Sequence, residues 1–356
     1  MERTVLVLQG QVPPYRIPFF RYLTHELKRR QFKLLVVSSS VLPGINDIGF
    51  LHQHVRRSAG SLSALKFIYQ KMPTVLVLPH SLQYFPLASS TRLIQRNRRR
   101  QLFWGMGTVR RYGLGSARDR SPASETVRRL MLALCDHYLS YTEFSTANLL
   151  GGGYDGVRIT TLNNSVEALA TPKQVMAAKR VPLQVLFVAS LVEDKEPLTA
   201  VAIIGRLQQM VPGATLHIVG SGPLRGECER AANAQPWVHF HGPLRGQTLR
   251  DLALTSDIAI IPGRVGLAVL ELASAGLPLA TCAMSLHGAE IAYLRDGING
   301  LFLSTNTDLA AKKLGTLLAD RPALERMRND ALKMANEYSV RNMAINFANG
   351  VLTSLA

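Results

Sequence analysis

The chain has 356 residues, 47% hydrophobic and 18% charged, enough apolar material for about two domains of roughly 150 residues each and too much for a disordered or low-complexity protein. Lysine and arginine number 41 against 24 acids, a net charge of +17. The excess is one-sided: residues 1–160 hold 23 basic and 8 acidic side chains (+15), and the remainder stands at +2.

At the N-terminus the first apolar stretch is stopped by Gln9 and Gly10, too soon for a signal-peptide core. No later apolar run reaches the ~20 residues that span a bilayer. Short apolar runs then alternate with helical patterns. Residues 4–8 read as a strand, 18–30 as a helix, and 32–38, 74–78 and 101–104 as strands. A helix at 124–134, a strand at 137–140 and a segment at 158–162 close the first half. Residues 166–182 are polar without a period and read as a linker. The pattern restarts with strands at 183–189, 215–220, 238–241, 258–261 and 279–281, alternating with helices at 197–210, 224–234, 247–254 and 265–275. Helices at 308–320 and 322–338 follow, then an amphipathic one at 339–355. Apolar strands spaced by helices make parallel α/β units. The expected fold class is therefore α/β, with two Rossmann-like domains, 1–165 and 183–338, facing across a cleft. Ligands of such sheets lie beyond the carboxyl ends of the strands.

Cysteines and charge bound the chemistry. Cys135, Cys228 and Cys282 are odd in number and far apart, which gives neither a disulfide framework nor zinc spacing and suits a reducing compartment. No metal-ligand cluster is visible. Residues 92–129 hold eleven arginines, among them Arg96, Arg98, Arg99, Arg100, Arg110 and Arg111, against Asp119 and Glu125. Such a patch attracts polyanions: an anionic membrane surface, a phosphate-rich substrate or nucleic acid. A solvated helix face carries the same composition. Nucleic acid is the weakest of these, because the patch lacks a helix-turn-helix, a zinc finger or stacking aromatics. Anionic lipid is favoured, each basic residue contributing about 1 kcal/mol near the surface.

Three segments of the second half carry candidate chemistry. Gly220-Ser221-Gly222-Pro223 follows a strand, and its glycines permit a tight turn and close approach of a ligand; an ordinary strand-to-helix turn reads the same way. Lys195 falls just past the strand at 183–189, where a lysine offers phosphate a point charge, although Glu193, Asp194 and Glu196 also suit a plain surface lysine. In Pro262-Gly263-Arg264-Val265-Gly266-Leu267, a glycine-rich loop opens the helix that carries Glu271. Free amides near Gly266 and Leu267 suit a diphosphate. An acid in an apolar helix needs a partner, from ligand hydroxyls or from the protein itself. Neither a dinucleotide fingerprint nor a Gly-x-x-x-x-Gly-Lys-Ser/Thr loop is present.

Taken together these segments resemble the retaining glycosyltransferases of family 4, in its polysaccharide-assembly branch, which have the GT-B fold of two Rossmann-like domains. The resemblance rests on Ala189-Ser190-Leu191 with Lys195, on Gly220 to Pro223, and on Gly263 to Glu271 followed by Ala275-Gly276-Leu277-Pro278. In the first half it rests on Gln9-Gly10, on Tyr15-Arg16-Ile17-Pro18-Phe19-Phe20 and on residues 159–167; Tyr338-Ser339 before the last helix also fits. It implies transfer of a sugar from a nucleotide diphosphate sugar to a hydroxyl of a lipid-linked or glycan acceptor, in surface polysaccharide, lipopolysaccharide or glycolipid assembly. It also implies that the last helix packs back on the first domain. Lys195 would contact the diphosphate and Glu271 the ribose. The amides around Gly266 and Leu267 would stabilise the leaving group. Gly10 would let the acceptor-side loop approach the donor, and the region after His241 would lie near the base. No metal or other cofactor is expected.

Three departures stand out. Ser190 replaces an arginine, Gly263 replaces the first glutamate of a pair, with Arg264 beside it, and Met106 stands where a histidine is usual. His80 and Glu143, each just past a strand, are candidates to replace that histidine. Tyr15, Arg16, Arg96, Arg99, Arg100 and Arg110 are the candidates for acceptor or membrane contact. With the cysteine usage and the absence of an apparent signal, the basic first half leads to the expectation of a cytoplasmic protein, peripheral on the inner face of the cytoplasmic membrane. A catalytically weakened relative acting as a scaffold subunit, a sugar-nucleotide epimerase and a basic nucleic-acid-binding protein are the competing functions.

Overall fold

The computed structural model describes residues 3–40, 42, 48–54, 62–95, 99–107, 111–113, 116–118, 122–154, 156–283 and 286–356. The chain divides into two compact units. The first takes Met1–Arg110, Arg118–Glu167 and Ser339–Ala356; the second takes Arg111–Ala117 and Ala168–Tyr338.

The first unit is built on β1 (Arg3–Gln9), β2 (Phe32–Ser38), β3 (Leu51–His54), β4 (Val75–Pro79) and β5 (Arg100–Gly105). It continues with β8 (His137–Ser140) and β9 (Ile159–Thr161); between β5 and β8 in sequence lies a two-stranded ribbon, β6 (Arg111–Gly113) and β7 (Ser116–Arg118), that belongs to the second unit up to Ala117. The sheet runs β3-β2-β1-β4-β5-β8-β9 with every neighbour parallel. Its helices are α1 (Ile17–Arg29), α2 (Leu62–Lys71), α3 (Phe85–Gln95), α4 (Pro122–Leu132) and α5 (Glu143–Gly151).

The second unit repeats the plan. Helix α6 (Pro172–Ala177) leads into β10 (Gln184–Val188), α7 (Pro197–Met210), β11 (Thr215–Val219), α8 (Arg225–Ala234), β12 (Val238–Gly242) and α9 (Gly246–Thr255). Then come β13 (Ile258–Ile260), α10 (Ala268–Ala273), β14 (Leu279–Cys282), β15 (Gly300–Leu303), α11 (Thr307–Ala319) and α12 (Arg321–Glu337). The sheet order is β12-β11-β10-β13-β14-β15, again all parallel. The last helix, α13 (Val340–Thr353), belongs to the first unit.

Parallel sheets are covered on both faces, so their strands read as continuous apolar runs. In β1, Val5 and Val7 join Phe19, Leu23 and Phe347 of α1 and α13, while Leu6 and Leu8 join Ile68, Leu87 and Met131 of α2, α3 and α4. Helix α13 approaches its sheet closely at Gly350, where a Cβ would lie 2.5 Å from Leu139 Cδ2. In the second unit, Asp257 at the foot of β13 is fully buried. It accepts from Leu183 N–H at 2.8 Å and is paired with Arg321 and Arg328 of α12.

Several expectations change here. The stretch read as a linker carries α6, started by a capping box of Thr171 and Gln174. Strands β3 and β15 went unread: β3 is the polar Leu-His-Gln-His at a sheet edge, and β15 is four residues led by glycine. The three cysteines are free and buried. Among the described residues, no helix is long and apolar enough to cross a membrane.

Candidate functional site

In each sheet the strand order reverses once, between β1 and β4 and between β10 and β13. Such switch points open a crevice beyond the carboxyl ends of the two strands. In the second unit the loops leaving the switch point are 189–196, after β10, and 261–267, after β13. They hold Lys195 and the glycine-rich loop.

These loops are stitched together by the backbone. Gly263 N–H donates to Lys195 O at 3.3 Å and Arg264 N–H to Asp194 O at 2.6 Å. Arg264 Nε meets Asp194 Oδ2 at 2.7 Å, and Lys195 Nζ donates to the Arg264 carbonyl. Lys195 is half-buried. Burial and then the Arg264 charge push its pKa below the ordinary lysine value, against the pull of Asp194. Gly263 is buried in the same contact: a Cβ there would stand 2.3 Å from Asp194 O and 2.7 Å from the Lys195 carbonyl carbon. No side chain fits, so the missing first glutamate is a steric property of this loop. Gly263 therefore lets the two loops pack closely.

The glycine turn lies alongside. Gly220 and Gly222 have φ of +152° and +157°, and Cβ atoms there would stand 2.0 Å from Ala189 O and 2.4 Å from Leu191 O. Gly220 N–H donates to Gly242 O, and Leu191 N–H to Ser221 O, which laces together the ends of β10, β11 and β12. Ser190 is exposed. His241, at the end of β12, has Nε2 2.9 Å from His217 Nδ1; burial is the main cause lowering both histidines, His217 to about 4.

Beyond Val265, the amides of Gly266 and Leu267 donate no hydrogen bond within the described residues. Glu271, half-buried on α10, meets no hydrogen-bond or ion-pair partner there, and burial raises its carboxyl above the usual range. Two neighbours escaped sequence reading. His287, fully buried, accepts Val265 N–H on Nδ1 at 3.1 Å. Glu290 is buried behind the loop, with Oε2 3.7 Å from where a Gly266 Cβ would lie. Each is a lone polar residue in apolar sequence, joined to the loop only by tertiary contact. The loops after β10 and β13 and the helix that follows thus carry two free amides, a cation and a carboxylate without a partner, a set of groups suited to an anion bearing hydroxyls. Among the described residues no group of three metal-ligating side chains converges.

At the first unit's switch point the candidates are differently engaged. Gly10 follows β1; its carbonyl accepts Ser39 N–H at 3.1 Å, and a Cβ would lie 3.0 Å from Tyr84 Oη. His80 is 8% exposed. Its Nε2 is 3.2 Å from Arg128 O and its Nδ1 2.9 Å from Tyr138 Oη. A carbonyl only accepts, so Nε2 carries a hydrogen. Both ring nitrogens of His80, expected as a catalytic candidate, make hydrogen bonds inside the fold. Glu143 is exposed in the first turn of α5, behind the Thr142 cap, where an acid suits the positive end of a helix.

Arg16, expected at a surface, is 6% exposed. It donates to Asn164 Oδ1 at 2.6 Å and lies 5.2–6.0 Å from the ring centres of Tyr15, Phe19, Trp104 and Tyr141, a cation–π cage. Tyr15 itself is 43% exposed. Arg99 is also internal, and burial pushes it down to about 10. Arg100 is exposed. Arg96 and Arg110 lie outside the described residues. The basic patch is thus partly spent on packing.

Residues 182–320 match the family model described as glycosyl transferases group 1. A glycogen synthase of Mycobacterium tuberculosis is 29% identical over 147 residues, 40% of this chain; the match spans 36% of the relative's length. A glycosyltransferase structure from Rickettsia africae superposes with a TM-score of 0.72 at 13% identity, over 99% of both chains. The Anabaena HepE structure in complex with UDP gives 0.69 at 14% identity, over 98% of both chains. Across nearly its whole length, then, the chain has the GT-B fold, and the unit carrying Lys195, the glycine loops and Glu271 is the one that resembles glycosyl transferases group 1 in sequence.

Proposed function

We propose that the protein is a glycosyltransferase that moves a sugar from a nucleoside diphosphate sugar to a hydroxyl of a membrane-associated acceptor, with retention of configuration. The observation that carries this reading is the switch point of the second sheet. There Lys195, the free amides of Gly266 and Leu267, and the unpartnered Glu271 lie on the loops after β10 and β13 and the helix α10 that follows, all within the stretch that matches the family model. The amides and Lys195 hold the diphosphate and stabilise its charge as it leaves, which preorganised donors do without a metal. Glu271 accepts from ribose hydroxyls. The bond from sugar C1 to the phosphate oxygen breaks and a bond from C1 to the acceptor oxygen forms. The acceptor proton ends on the departing diphosphate, since His80 and Met106 offer no base. A UDP sugar is the first donor to try, because HepE was solved with UDP.

The acceptor side rests on the first unit. Leu93, Ile94 and Leu130 are 84%, 54% and 57% exposed on helices that cover one face of the first sheet, and Lys66, Lys71, Arg100 and Arg129 of the same unit are exposed as well. Exposed apolar side chains on a unit with exposed cations suit the cytoplasmic face of an anionic membrane, where a lipid-linked acceptor for surface polysaccharide, lipopolysaccharide or glycolipid assembly would lie. The test is transfer of labelled sugar from a panel of nucleotide sugars into a lipid extract, without metal and then with magnesium. Product with one donor is expected. Nucleotide binding without turnover would instead support a scaffold subunit, the reading favoured by Met106 and by the closed position at Gly263.

A further inference from the structure

His287 takes no part in the proposed reaction, yet it is 0% exposed and makes two directed hydrogen bonds beside the glycine loop. Val265 N–H can only donate, so the Nδ1 it reaches at 3.1 Å carries a lone pair. The Cys282 carbonyl can only accept, so the Nε2 that lies 3.1 Å from it carries the hydrogen. The imidazole is therefore neutral, in a single tautomer, and bridges the end of β14 to the loop. The next residue completes the clamp: Gly288 N–H donates to Val265 O at 2.7 Å. Both backbone groups of Val265 are thus held from one side. Val265 lies between Arg264, whose carbonyl accepts from Lys195 Nζ, and Gly266, whose amide is free.

We infer that His287 is a positioning residue for the donor site: it fixes Val265, and through it aims the amides of Gly266 and Leu267 and the Arg264 carbonyl that orients Lys195. The inference rests on the donor-site reading given above. Residue type matters at this position. Leucine would fill the space but leave Val265 N–H and the Cys282 carbonyl buried without partners. Asparagine keeps an acceptor oxygen near the Nδ1 position and loses only the bond to Cys282.

The test is calorimetric titration of UDP, GDP, ADP and CDP, without metal, into the full-length chain, His287→Asn, His287→Leu and a stability control. The control is Leu207→Ala, a fully buried position on α7 outside these loops. Binding of one diphosphate by the unchanged protein is expected. His287→Leu should weaken it about tenfold or more, the scale of one buried donor left unpaired, and His287→Asn should recover most of the loss. Leu207→Ala should lower Tm and leave binding unchanged. Wild-type affinity in His287→Leu, or equal loss in Leu207→Ala, would overturn the inference while the donor reading stands. No diphosphate bound by the unchanged protein would remove the donor reading and the inference with it. Nitrogen-15 histidine spectra give a separate check: a protonated Nδ1 on His287 at pH 7 would contradict the clamp.

Discussion

The two units share one sheet plan and differ in what they do with polar groups at the switch point. In the second unit the amides of Gly266 and Leu267 and the Glu271 carboxyl stay uncommitted. In the first, His80 and Arg16 lie in the same topological place and are used up by Tyr138, Arg128, Asn164 and four aromatic rings. Position relative to a strand end thus marks a candidate without deciding its role. What decides it is whether the fold has already satisfied the group. The lesson extends to charge: Arg16, Arg99 and Arg128 count toward the basic half in sequence, yet all three are buried.

The comparison can be broken first at Gly263. Gly263→Glu restores the residue type of the resemblance and drives a Cβ into the backbone of Asp194 and Lys195. A loss of about 4 kcal/mol or more in denaturant unfolding is expected, the range reserved for severe overpacking. A mild effect would mean that the loops are not locked. Next is Asp257, whose removal strands Arg328 in the core. Asp257→Ala should cost about 3–5 kcal/mol, read in the same experiment.

Acid should act next. Burial holds His287, His217 and His137 at about 4, while unfolded histidine titrates near 6.5. Between those values the unfolded chain binds the protons that the folded chain refuses. This contribution to stability is therefore complete above about pH 6.5 and is lost as the pH falls toward about 4. A Tm series over that window should fall steadily, and a flat series would contradict these burial assignments. The smallest effect belongs to the first unit: His80→Phe should cost about 1–3 kcal/mol, by leaving the Arg128 carbonyl and the Tyr138 hydroxyl short of a partner.

Much of the architecture was legible because parallel strands are short apolar runs bounded by helical periods. Residues 32–38, 137–140 and 197–210 were read with the bounds the structure gives. The losses have local causes. The edge strand β3 is too polar to stand out, and α3 contains Ser89, Ser90 and Thr91, which favour turns as readily as helix interiors. At the site, Lys195, the Gly220 turn and Glu271 stood out by their places after strands and in an apolar helix, and their expected roles came from the family resemblance. His287 was not, since its partners Val265 and Cys282 are 22 and 5 residues away and nothing in composition links them. The cage around Arg16 draws on Trp104, Tyr141, Asn164 and Met343, side chains brought together only by the sheet and the returning helix α13.

The most direct measurement is metal-free nucleoside diphosphate binding by the unchanged protein, Lys195→Ala and His80→Gln, compared in one calorimetric series. The account predicts one diphosphate bound, binding weakened about 100-fold in Lys195→Ala as a charged contact is lost, and binding retained in His80→Gln. Binding kept by Lys195→Ala and lost by His80→Gln would contradict the account, because the working groups would then lie in the first unit.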